Sequence, residues 1–148
     1  MFYHILLICV LAYIGYHDAK TMEIDNSSVF GVICISLYMI CKGYISVQYA
    51  LLNAVFTIGM IVFIYMLLHG IHMPMIGAGD QKLLIALSAC VGVDVVYAVL
   101  FITLLLQSTY LLIIKTLRKR AIYGDMSLPM GPFICIAYII YEIGELLL

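Results

Sequence analysis

Two aspartates are placed where carboxylate chemistry can occur in a chain that carries few charges. Asp18 lies in Tyr16-His17-Asp18-Ala19-Lys20, where the first apolar stretch ends. Asp80 closes Gly77-Ala78-Gly79-Asp80, which leads into Gln81-Lys82-Leu83-Leu84. Two carboxylates brought together at a partly desolvated edge cannot both ionise easily, so one keeps its proton while the other stays charged. Such a pair divides the work of hydrolysis. The ionised group takes a proton from water and the protonated one donates to a carbonyl oxygen. The two are expected to titrate as a coupled pair. Gly77 and Gly79 suit a loop that needs close approach or backbone angles closed to other residues. Pro74 stiffens the entry to that loop, and Gly70 loosens the end of the segment before it.

Composition says what must hold these acids in place. Of 148 residues, 66% are apolar and 10% charged, with a mean hydropathy of +1.20. A soluble domain usually has about a quarter of its residues charged. With less than half that supply, lipid is the expected solvent. A net charge of −1 offers no electrostatic case for nucleic acid. No linker or repeat divides the chain, so residues 1–148 read as a single membrane-embedded domain. The first segment lacks the basic start and small-residue cleavage site of a secretory signal, and is read as a retained helix. Cys9, Cys34, Cys41, Cys90 and Cys135 form no Cys-x-x-Cys pair, and are expected to pack as small apolar residues rather than to bind metal or form disulfides.

Apolar runs broken by charge, glycine or proline give six candidate helices, at roughly 2–17, 27–42, 46–69, 82–93, 95–116 and 130–147. In lipid each segment must satisfy its own backbone groups, so the fold class is all-α, with about six transmembrane helices. The fourth is short for a crossing. If all six cross, Lys20, Lys82, Lys115, Arg118, Lys119 and Arg120 fall on one side, and Lys42 is the exception. By the positive-inside bias that side is cytoplasmic, and both termini lie outside. Asp18 and Asp80 then share the cytoplasmic edge.

With these residues in view, the chain resembles the type IV prepilin peptidases. Gly77-Ala78-Gly79-Asp80, with Lys82 and two leucines after it, resembles the GxGD signature of that family. Asp18 to Asn26, reading D-A-K-T-M-E-I-D-N, is similar to its first motif, an aspartate followed several residues later by Ile-Pro-Asn. Pro129-Met130-Gly131-Pro132-Phe133 resembles the opening of its last helix. The resemblance implies a six-helix aspartic endopeptidase of the inner membrane. Such an enzyme cleaves the basic leader of prepilin-like precursors at the cytoplasmic face, usually after a glycine. It implies Asp18 and Asp80 as the catalytic pair, with Gly77, Gly79, Lys82 and Asn26 as loop or substrate support. No metal or organic cofactor is required. Asp25 stands where the family usually has proline, which bears on substrate preference. Larger members carry cysteine pairs linked to N-methylation; these are absent from this sequence, and peptidase activity alone is expected.

The remaining polar residues have plainer readings. Asp25 and Glu23 read as solvated loop charges, with Asp25 also able to cap segment two. Asp80 is also a reasonable N-cap of segment four. Asp94 reads as a cap in an external turn, Glu142 and Glu145 as interfacial, and Asp125 as the leading rival for a catalytic acid. His17, His69 and His72 fall on one edge, but no metal motif frames them. The rival function is a small proton- or cation-translocating protein using Asp18 and Asp80, which calls for acids near the bilayer midplane.

Overall fold

The computed structural model describes residues 2–69, 77–118 and 128–147. These form six α-helices: α1 (Phe2–Thr21), α2 (Asn26–Cys41), α3 (Val47–His69), α4 (Ala78–Val91), α5 (Val93–Arg118) and α6 (Gly131–Leu147). Each helix covers one of the six apolar runs, and the differences lie at the ends. α1 runs four residues past the predicted end, which puts Asp18 in its last turn. The helix stops where Met22 takes φ 58° and its N–H bonds the Asp18 carbonyl at 2.8 Å. α4 starts four residues before its apolar run, so Asp80 falls inside its first turn. No loop of any length separates α4 from α5. Gly92 alone makes the break, at φ +100°, with no room for a Cβ beside the Tyr49 hydroxyl. Asp94, expected as a turn cap, therefore lies in the first turn of α5.

α4 is the centre of the bundle. Fourteen residues rise about 21 Å, short of the roughly 30 Å of a hydrocarbon core. Its neighbours make up for that length: it packs against α2, α3 and α5. Leu83, Leu84 and Leu87 are fully buried, meeting Val32 and Ile35 of α2 and Val96 and Val99 of α5 in one core. α1 packs chiefly on α6 through Leu7, Leu11 and Ile14 against Ile134, Ala137 and Tyr138. Buried hydroxyls stay satisfied by bonding back along their own helices, as Thr57 does to the Asn53 carbonyl and Thr103 to that of Val99.

Two helices, α3 and α5, contain stretches long and apolar enough to cross a membrane, Val47–Met66 and Val93–Ile114, each with mean hydropathy 2.0. Their outward faces are apolar as well: Val55, Phe63, Met66, Phe101 and Leu112 are all more than half exposed. On these two helices the outward face is thus as apolar as the core.

Candidate active site

The site is built from the end of α1, the connection that follows it, and the starts of α4 and α6. Asp18 is 3% exposed. A buried carboxylate needs donors, and Asp18 Oδ2 accepts the backbone N–H of Gly131, the first residue of α6, at 2.7 Å. Two glycines permit this approach. A Cβ on Gly131 would sit 2.9 Å from Asp18 Oδ2, and one on Gly15 would sit 3.1 Å from Pro132 Cα.

Asp80 reaches the same edge from α4. The N-cap of that helix is Gly77, so Asp80 is its third residue and not the cap that its position suggested. Its carboxylate accepts the Gly77 N–H, the reciprocal half of a capping box. A Cβ on Gly77 would lie 2.8 Å from Asp80 Oδ2, and one on Gly79 would lie 2.9 Å from Ile24 Cβ and 3.1 Å from its carbonyl oxygen. Neither glycine has a positive φ. They serve close approach: Gly77 to its own aspartate, Gly79 to the loop that follows α1. Angular freedom, the other expected role, is not used.

Asp80 precedes the apolar body of α4, which begins after Lys82. Burial raises its carboxyl, and the negative charge of Asp18 raises it further. The Gly77 N–H opposes both but only in part, leaving Asp80 at about 6. The two aspartates therefore lie within electrostatic range of each other. Lys82 Nζ donates to Asn26 Oδ1 at 3.0 Å and ties the start of α4 to that of α2.

Asp25 occupies the N-cap position of α2 but makes no side-chain cap bond. Ser27 Oγ donates to it at 2.6 Å instead, and that bond holds its carboxyl below the ordinary value. Glu142 and Glu145 lie at the far end of the bundle, bonded to His4 and to the Tyr141 hydroxyl. Gly70, His72, Pro74, Lys119, Arg120 and Asp125 lie outside the described residues, as does the side chain of His69. Among the described residues no group of three His, Cys, Asp or Glu side chains could hold a metal ion.

Two contributors had no expected role: Ile24, against which Gly79 seats, and Gly131, whose N–H holds Asp18. The glycine between Met130 and Pro132 was visible as part of a motif. Its use was not, because a backbone donor has no residue type to betray it.

No curated protein and no solved structure matches the chain. A family model does, over residues 5–112, a span containing Asp18, Asn26, Gly77, Gly79, Asp80 and Lys82. That match, over more than half of the chain, makes this protein a member of the type IV leader peptidase family.

Proposed function

We propose that this chain is a membrane aspartic endopeptidase that removes the basic leader of prepilin-like precursors at the cytoplasmic face of the inner membrane. The observation that carries the reading is that Asp18 and Asp80, from separate helices, lie within electrostatic range, with Asp80 raised to about 6 by burial and by Asp18. A pair so arranged can hold one proton between two carboxylates at neutral or mildly acidic pH.

In that state the ionised aspartate takes a proton from water while the resulting hydroxyl bonds to the scissile carbonyl carbon. The protonated aspartate gives its proton to the carbonyl oxygen, forming a neutral diol. Collapse of the diol breaks the C–N bond. The amine leaves with the proton first taken from water, and a diol proton returns to the other aspartate. No cofactor enters this cycle. Gly77 and Gly79 let the start of α4 sit against Asp80 and Ile24, and the Lys82–Asn26 bond holds that turn to α2. The substrate's apolar helix remains in lipid beside the exposed faces of α3 and α5. All six helices cross, with α4 shielded by its neighbours and both termini outside, and the chain works as one membrane-embedded unit.

The test is to reconstitute the protein in liposomes with a membrane-anchored precursor bearing a short basic leader that ends in glycine. Product masses are then read for wild type, Asp18→Asn and Asp80→Asn. The reading predicts one cut at the leader junction by wild type and none by either variant, with helicity unchanged. A proton flux that needs Asp80, in liposomes that cut no precursor, overturns it in favour of ion translocation.

A further inference from the structure

We propose that the backbone N–H of Gly131 is the positioning group that keeps Asp18 the ionised member of the pair, making Asp18 the base toward water and Asp80 the acid toward the scissile carbonyl. This assignment rests on the aspartic-peptidase reading and divides the roles within it. It concerns a residue beyond the 5–112 span of the family match.

Four features of the structure point to it. The Gly131–Asp18 contact, at 2.7 Å, has the short length of a hydrogen bond to a charged acceptor. It comes from the first turn of a 17-residue helix, where the helix dipole and the unpaired N–H groups both favour an anion. In that turn Pro132 has no N–H, and the N–H of Ile134 is already bonded to the Met130 carbonyl. Gly131 is the donor whose N–H reaches the acid. Finally, the acid is almost wholly enclosed, so a charge there depends on its donor. With Oδ2 held, Oδ1 takes the proton from water.

Asp80 has the complementary setting. It is partly exposed, and burial and the charge of Asp18 favour its protonated form over the Gly77 N–H. Among the described residues, the other charged or titratable groups on the elements at this edge include Tyr16, His17 and Lys20 of α1, Glu23 and Asp25 before α2, and Lys82 of α4. The first turn of α6 adds no acid.

Replacing Gly131 by glycolic acid, through nonsense suppression in the full chain, turns its N–H into an ester oxygen without adding an atom. The readout is the pH profile of kcat/KM for precursor cleavage. A hydrogen bond to a charged group is worth about 1.5–3 kcal/mol, so the acid limb should move up by about one to two pH units while the basic limb stays. Gly131→Ala, which drives a Cβ into Asp18, should slow cleavage by about tenfold or more and move the same limb. It serves as the second variant if the ester chain does not fold. An acid limb unmoved in a folded variant, or a shift of the basic limb instead, overturns the assignment while the peptidase reading stands. Cleavage that persists in Asp18→Asn overturns both.

Discussion

The two ends of this bundle treat their acids in opposite ways. At one end Asp18 and Asp80 lie within electrostatic range of each other, and among the described residues neither forms an ion pair; backbone N–H groups of Gly131 and Gly77 are their donors. At the other end Glu142 stands 2.7 Å from His4, which also bonds the Tyr138 hydroxyl at 3.1 Å, while Tyr141 donates to Glu145. A cavity of about 960 Å³ lined by Tyr3, Tyr44, Glu142 and Glu145 opens there, yet its acids are already answered by side chains. Backbone N–H donors favour the ionised carboxylate, and at Asp80 burial and the charge of Asp18 outweigh that donor. The two ends thus differ in what holds their acids, main-chain N–H groups at one and side chains at the other.

Substitutions at the two ends should separate accordingly. The largest effect is expected from Asp18→Asn or Asp80→Asn, each lowering leader cleavage by about 10³-fold or more in a reconstituted assay. Gly79→Ala comes next: its Cβ meets Ile24 at 2.9 Å, so the start of α4 must shift. A displacement of about 1 Å at the reacting groups costs up to roughly a hundredfold, read as kcat with the fold checked by circular dichroism. Lys82→Met loses an exposed bond to Asn26 worth about 1 kcal/mol or less, and cleavage should fall no more than about fivefold. At the far end, His4→Ala should leave cleavage within about twofold of wild type. It lowers the thermal midpoint, because Glu142 loses its partner in a site only 18% exposed, a cost of about 1–3 kcal/mol. A large loss of cleavage in His4→Ala would break the division between the ends.

Stability against pH sharpens the same contrast. The Asp80 carboxyl rises from an ordinary 3.8 to about 6 in the fold, so the folded state binds the proton more tightly than the unfolded chain. Its contribution is complete below about pH 4 and is lost as pH rises through 6. The thermal midpoint should therefore fall between pH 4 and 7, and Asp80→Asn should flatten that decline.

Much of this architecture was legible from residue types because apolar length and charge placement leave direct traces. All six helices sit on the six apolar runs, and Asp18 and Asp80 were singled out by their surroundings. Helix ends were less legible. α1 continues through His17, Asp18 and Lys20 and α4 begins before Asp80, since a helix at its ends tolerates charged side chains that an apolar count reads as breaks. The long-range contacts left the faintest trace. Asp18 meets Gly131, and Gly79 meets Ile24, through backbone or a missing Cβ. Neither kind of contact is written in side-chain chemistry. The capping of α4 was misplaced by three residues for a related reason: Gly77, not Asp80, occupies the cap, and the aspartate bonds back to it.

The central claim is that Asp18 and Asp80 act as one catalytic unit, and a double-mutant comparison tests it most directly. Initial rates of precursor cleavage would be measured for wild type, Asp18→Asn, Asp80→Asn and the double variant at one pH. Residues that act as a unit are non-additive, so each single change should remove nearly all activity and the double should be no slower than either. Losses that multiply in the double variant, or a single variant that cuts at the wild-type rate, would contradict the account.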